Sequence, residues 1–291
     1  MNISIIIPVF NGGKSLKELY DKIRNVLTGN LTYEMIFIHD CGNDNSWKVI
    51  KELAEKDRNH VRGFHLDKNY GQHIATLFGF KNATGDYIIT LDEDNQHDPK
   101  YIPEMIKRLE DGKHDFVYGK FRKIEQPFLK VFLSSFLRRI LSILVPDLPY
   151  DYSSYRVIRK NIVVKVIEAG SHFSFIDAAL GNLSSNYSSV MIDHCKRLKG
   201  RSSYTINSLF KLFLDVLFGY SKRFRIIYNT LLYILLSCVF LAGYLTIIQS
   251  IQLQITAIIL LFLLIIMLLL RMSSFQRIKH NLNSFVIEQL N

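Results

Sequence analysis

Along the first 119 residues, short apolar runs alternate with stretches in which apolar positions recur every three or four residues. Residues 3–9, 35–39, 61–66, 87–91 and 116–118 are rich in β-branched and aromatic side chains and read as strands. Residues 15–27, 46–55, 70–81 and 99–109 carry the helical spacing. This alternation predicts an α/β fold, a mostly parallel sheet flanked by helices. Ligands of such sheets bind at the carboxyl ends of the strands, so the residues after each strand are the candidates for chemistry.

Beyond residue 120 the pattern changes. Residues 226–248 are 23 positions without a charge, and residues 253–270 are 18 more. Each is long enough to cross a hydrocarbon core of ~30 Å as a helix, so two membrane spans are expected. Lys222, Arg223 and Arg225 precede the first; Arg271, Arg277 and Lys279 follow the second; residues 249–254 between them carry no charge. The bias of basic residues toward the cytoplasmic side then puts both flanks in the cytoplasm. The expected organisation is a cytoplasmic catalytic domain at 1–220 and a multi-pass domain of the inner membrane at 221–291, with a short cytoplasmic tail. Residues 127–145 and 205–220 are broadly apolar with a narrow polar stripe (Lys130, Ser134, Arg138, Ser142; Asn207, Lys211, Asp215). That pattern suits helices lying in the headgroup region, with plain core helices as the alternative. The same helices suit packing on a second copy, so a homo-oligomer is a further expectation.

Charge sharpens this division. The chain of 291 residues has 36 basic and 26 acidic side chains, a net +10. Residues 1–119 hold 15 basic and 18 acidic groups; the excess gathers at 120–165, with 10 against 3, and at 196–225, with 8 against 1. A nucleic-acid binder spreads its basic groups over a folded face, whereas here they adjoin apolar sequence, pointing to lipid or phosphate partners. Cys41, Cys195 and Cys238 form no C-x-x-C pair, which argues against a disulfide framework or a zinc site and fits a reducing compartment. The apolar run at 3–10 is too short for a secretory leader, and none is expected.

Three strand ends carry polar clusters. After the first, Gly12-Gly13-Lys14-Ser15 ends like a phosphate-binding P-loop, but Pro8 stands where that motif needs glycine. G-x-G-x-x-G follows no strand, so nucleotide-hydrolase and dinucleotide readings both fail. After the second strand come Asp40 and Asp44 among small turn residues, suited to hydrogen bonding a base or ribose; Asn45 or Ser46 also suits a helix cap. The fourth strand ends in Asp92-Glu93-Asp94-Asn95-Gln96. Three consecutive acids repel one another unless a cation or solvent intervenes. Their oxygens suit a hard divalent ion that also bridges phosphates, the alternative being a solvated turn.

In order along the chain, Pro8-Val9-Phe10-Asn11, residues 40–47, Asn69-Tyr70-Gly71-Gln72-His73, Gly85-Asp86-Tyr87 and the Asp92–Gln96 cluster resemble family 2 glycosyltransferases of the GT-A fold. Asp151-x-Ser153-Ser154-Tyr155-Arg156 and His194-x-x-Arg197-x-x-Gly200-Arg201-Ser202-Ser203-Tyr204, followed by two spans, are similar to the group that loads sugars onto polyprenyl phosphates. The resemblance implies that Asp40 faces the nucleobase with Pro8 and Phe10 lining its pocket and Asn11 beside them. It implies that Asp92, Asp94 and Gln96 hold Mg2+ or Mn2+, with Glu93 on the donor, and that Arg122, Arg139, Arg156, Arg197 and Ser202 contact diphosphate or acceptor phosphate. The chain departs from the family pattern at His39, Glu93 and His97-Asp98-Pro99.

The reaction so implied moves a sugar from a nucleotide sugar, UDP-sugar favoured, to undecaprenyl phosphate on the cytoplasmic face, for envelope polysaccharide or lipid modification. A phosphate acceptor is already ionised near pH 7 and needs no general base. The protein must instead offset repulsion between anions, a task for arginine, with Arg156 and Arg197 foremost. Direct displacement on one face implies inversion. The alternative is a sugar hydroxyl on a lipid-linked oligosaccharide, with Asp177 as general base; Asp177 also suits the start of a helix. A processive synthase would need Q-x-x-R-W, and Trp47 is the only tryptophan. A membrane scaffold retaining an inactive transferase fold is the remote alternative.

Overall fold

The structure, a computed structural model, describes residues 2–28, 32–122, 139–141, 143–169, 175–193, 195, 213–214, 216–247, 258–269 and 286–290. Its first half follows the sequence pattern: β1 (Asn2–Val9), α1 (Leu16–Val26), β2 (Thr32–His39), α2 (Ser46–Lys56), β3 (Val61–Leu66), α3 (Gln72–Asn82), β4 (Tyr87–Thr90), a 3-10 turn (Pro99–Tyr101), α4 (Ile102–Asp111) and β5 (Phe116–Phe121). Then come β6 (Arg156–Arg159), α5 (Lys160–Glu168), α6 (Ile176–Leu183), β7 (Tyr187–Ile192), α7 (Lys222–Ile247), α8 (Ile258–Leu269) and β8 (Val286–Leu290).

Eight strands form one sheet in the order β7-β5-β6-β4-β1-β2-β3-β8. The centre is parallel: β4, β1, β2 and β3 run together, as do β5 and β7. β6 lies antiparallel between β4 and β5, and β8 closes the β3 edge antiparallel. Helices cover both faces, which explains why the central strands are continuous apolar runs. Ile3, Ile5, Ile7, Met35 and Phe37 face α1, α2 and α4; Ile6, Ile36, Ile38 and Phe64 face α3, α5 and α6. α1 buries Leu16, Leu19, Tyr20 and Ile23, and α4 buries Ile102, Met105, Ile106 and Leu109, both at helical spacing.

One predicted boundary moves. The helix expected from residue 70 begins at Gln72, because the Tyr70 and Gly71 amides donate to Asp40 and Gly71 sits at φ 88°. That conformation is open to glycine and costly for other residues.

Toward the C-terminus, α7 contains a stretch, Arg223–Leu241, 19 residues long, of mean hydropathy 1.8 and with 11% of it buried. Among the described residues it is the one helix long and apolar enough to span a bilayer. Of the second expected span, only Ile258–Leu269 is described, and twelve residues rise about 18 Å, short of a ~30 Å core. Tyr228 and Leu232, early in α7, pack with Leu264 and Met267 of α8. The expected interface helices lie largely outside the described residues. Leu141 and Val145, with Val216 and Leu217, are buried against Phe175 and Ala178, as the core-helix alternative requires for those positions.

Candidate functional site

Because β4, β1 and β2 are parallel neighbours, their carboxyl ends lie side by side. Each then turns through a left-handed residue: Asn11 at φ 61°, Cys41 at φ 53° and Asn95 at φ 61°. Non-glycine residues in that region are uncommon and gather where a fold builds a site. The loops brace one another. Asn43 N donates to Asn11 Oδ1 (2.8 Å), Gly13 N to Asp44 Oδ2 (2.9 Å), and Asn95 Nδ2 to the Ser15 carbonyl (3.1 Å). Gly12 lies so close to the Glu93 side chain that a Cβ there would collide with it. Pro8 is buried and Phe10 is exposed at the rim.

Asp40 is buried, and both its oxygens accept backbone amides, from Tyr70 (2.7 Å) and Gly71 (2.8 Å). Burial pushes its carboxyl up to about 6, and the two amides act against that rise. Asp40 therefore fixes the β3–α3 loop beside whatever its remaining lone pairs meet.

Asp92 Oδ1 accepts from Gln72 Nε2, and Oδ2 accepts from the Ser154 hydroxyl (2.7 Å). His97 Nδ1 lies 3.8 Å from Oδ2, its ring stacked on Phe121 and tilted against Tyr155. Asp94 Oδ1 accepts the Gln96 amide (3.0 Å), which tightens the turn. Glu93 is pushed up to about 8, by burial first and then by the charges of Asp92 and Asp94. Asp92, Asp94 and Gln96 offer oxygen donors, the chemistry a hard divalent ion takes when phosphates complete its shell. Among the described residues no group of three or more His, Cys, Asp and Glu side chains is arranged to hold a metal.

Arg156, expected to contact phosphate, and Asp177, expected as a base only if the acceptor is a hydroxyl, are each other's partner. Their side chains are 2% and 4% exposed and joined directly from Nη1 to Oδ1. The Tyr118 hydroxyl also donates to Asp177 (3.0 Å), and Arg156 Nε donates to Thr90 Oγ1 (2.9 Å). Two charges taken from water survive only when paired and hydrogen-bonded, and this pair is both. In this arrangement each side chain's charge is taken up by the other. Beside them, burial and then Arg156 drive His73 down to about 3.

Arg122, after β5, pairs with Asp193 after β7 at 3.7 Å and is otherwise exposed; Arg139 is exposed. Arg197 and Ser202 lie outside the described residues. Sequence reasoning quoted Gln72 and Ser154 within longer strings but assigned them no part, and it passed over Thr90 and Tyr118. The one available signal was polar residues adjoining buried strands, which singles out too many positions.

Undecaprenyl-phosphate 4-deoxy-4-formamido-L-arabinose transferase of Proteus mirabilis is 30% identical over 217 residues, covering 74% of this chain and 66% of that protein. The protein of the same name from Shewanella sediminis is 31% identical, over 74% of this chain and 65% of its own length. The alignment thus spans just under two thirds of these relatives. The fold resembles glucosyl-3-phosphoglycerate synthase of Mycobacterium tuberculosis in complex with Mn2+, UDP and glucosyl-3-phosphoglycerate (TM-score 0.52, 16% identity, 75% of this chain and 78% of that one). It also resembles S. aureus TarS in complex with UDP-GlcNAc (TM-score 0.53, 16% identity, 75% and 65%). Glycosyl transferase family 2 matches residues 4–167, the stretch that holds β1 to β6 and the acidic turn, and the chain belongs to that family.

Proposed function

We propose that the protein is a membrane-bound, inverting glycosyltransferase that moves a sugar from a nucleotide sugar, UDP-sugar favoured, to a polyprenyl phosphate such as undecaprenyl phosphate at the cytoplasmic face. The observation that carries the reading is the Asp92–Gln96 turn at the carboxyl end of a central strand of a family 2 fold, in a chain that also bears the exposed apolar helix α7. The names of the curated relatives support the acceptor. The ligands of the similar structures support the donor and a metal.

Asp40 and the Phe10–Asn11 rim would seat the base, and Asp92, Asp94 and Gln96 would hold a divalent ion against the diphosphate. That ion supplies counter-charge to the departing oxygen. Gln72 and Ser154 keep the Asp92 carboxylate aimed, since each holds one oxygen. Arg122, Arg139, Arg197 and Ser202 would offset the charge of the arriving lipid phosphate. A hydroxyl acceptor would need a base, and Asp177, buried against Arg156, is poorly placed to be one. The catalytic unit would occupy 1–220 on the cytoplasmic side, with spans at 226–248 and 253–270.

The experiment is to incubate the membrane-embedded enzyme with a panel of nucleotide sugars and undecaprenyl phosphate, then identify the lipid product by mass spectrometry. A glycosyl phosphopolyprenol is expected. Transfer only to a saccharide hydroxyl overturns the acceptor assignment.

A further inference from the structure

We propose that the C-terminal strand β8 is part of the donor site's framework, and that Glu288 is a positioning residue for the loop that seats the nucleobase. This rests on the donor reading above. β8 follows both apolar helices in the chain, yet it joins the catalytic sheet, with Gly63 opposite Leu290, His65 opposite Glu288 and Leu66 opposite Val286. Leu290 packs into the core under α2, close to where a Cβ on Gly63 would stand.

The Glu288 carboxylate divides its two oxygens. Oε2 accepts from Trp47 Nε1 at 2.9 Å, and Oε1 pairs with Lys51 Nζ at 2.7 Å. Trp47 stands edge-on to His65 (5.1 Å between centroids) and stacks against His39 (5.9 Å). His39 and His65 meet through their Nδ1 atoms at 2.9 Å. Trp47 is the second residue of α2, and His39 is the last of β2. The loop between them contains Asp40, Cys41 in its left-handed conformation, and Asp44. Both ends of that loop are thus framed by rings in contact, and Glu288 holds one of them, Trp47, from β8.

A plainer role exists. An uncovered β3 edge would expose unpaired backbone groups, and any strand would cover it. Edge covering is backbone pairing, however, and is indifferent to the side chain at 288. The Lys51 pair is half-exposed and screened, so it contributes little. The Trp47 hydrogen bond, to a charged acceptor, is the directional contact. A corollary concerns the membrane: a chain that leaves the sheet through α7 and returns to it as β8 crosses the bilayer an even number of times.

The test uses the full chain in nanodiscs, with uridine diphosphate binding followed by calorimetry and by the emission of Trp47, the only tryptophan. Glu288→Ala should weaken nucleotide binding and raise the KM for the nucleotide sugar about tenfold, the loss expected for one hydrogen bond to a charged group, with kcat within about twofold. Glu288→Gln keeps an acceptor for Trp47 and should restore binding to within about threefold of wild type. Hydrogen exchange at 61–66 should stay protected in both variants. Unchanged nucleotide binding in Glu288→Ala overturns the inference, as does a Glu288→Gln variant no better than Glu288→Ala. A wild-type chain that binds no nucleoside diphosphate overturns the donor reading first, and this inference with it.

Discussion

Asp92 and Asp177 are carboxylates joined by a short run of hydrogen bonds, and they occupy opposite surroundings. Asp92 gives one oxygen to Ser154; the Thr90 hydroxyl donates to the Ser154 carbonyl; Arg156 donates to Thr90 and closes on Asp177. Asp92 keeps 26% of its side chain exposed and is held by neutral donors, so its charge is left to act outward. Asp177 is 4% exposed, and its charge is consumed by Arg156. Burial raises its carboxyl, and Arg156 with Tyr118 oppose that rise. The difference teaches that two carboxylates of one hydrogen-bonded run are told apart by which partner already holds their charge.

Breaking the buried pair should have the largest effect. Arg156→Ala or Asp177→Asn strands a charge in the interior and should cost about 3–5 kcal/mol of stability, read by thermal or denaturant unfolding. The double variant Arg156→Met, Asp177→Leu should recover most of that loss, and recovery below the worse single variant would show that the pair has a further part. Next comes the turn. Asp94→Asn should slow transfer by about 10²–10³-fold without moving the unfolding midpoint, and excess chelator on the wild type should do the same. Full activity in chelator would reduce Asp92 and Asp94 to turn residues.

A smaller effect lies in the pH dependence of stability. His73 is held neutral, its pKa lowered to about 3 from 6.5, so the unfolded chain binds a proton that the native chain refuses. Its contribution is full above pH 6.5 and is lost as pH falls toward 3. His73→Asn should flatten the acid-side slope by up to about 1.4 kcal/mol per pH unit. Asp40 has the opposite sign. Raised to about 6 from 3.8, its contribution is full below pH 3.8 and is lost as pH rises through 6, so Asp40→Asn should steepen the acid-side loss. The smallest expected effect is at the surface pair Lys17–Glu52, 2.7 Å apart and largely exposed. Lys17→Ala should leave the unfolding midpoint almost unmoved, in contrast to the buried pair.

Much of the first half was legible. The period of apolar positions marked β1 to β5 and α1 to α4, because helices on both faces force continuous apolar strands and one-sided helices. The acidic turn was legible too, because Asp92 to Asp94 follows a buried strand directly. β6, α5, α6 and β7 were not read from the pattern. β6 is four residues with arginine at both ends, too short and too charged to resemble a buried strand. The strand β8 was illegible for another reason: its partner β3 lies more than two hundred residues earlier, and no local period encodes that pairing.

By itself the sequence determined the layered α/β body, the apolar segments at its end and the residue types gathered at the strand ends. These depend on local periodicity and on neighbours within a few positions, which any chain displays in its own order. Only the tertiary structure decided that Asp40 holds the Tyr70–Gly71 loop, that burial raises the Glu93 carboxyl, that Arg156 and Asp177 neutralise each other, and that Glu288 reaches Trp47. Each of these depends on how much water is excluded and on which distant partner arrives. Desolvation and long-range pairing are properties of the packed molecule, so they appear only once the chain has closed on itself.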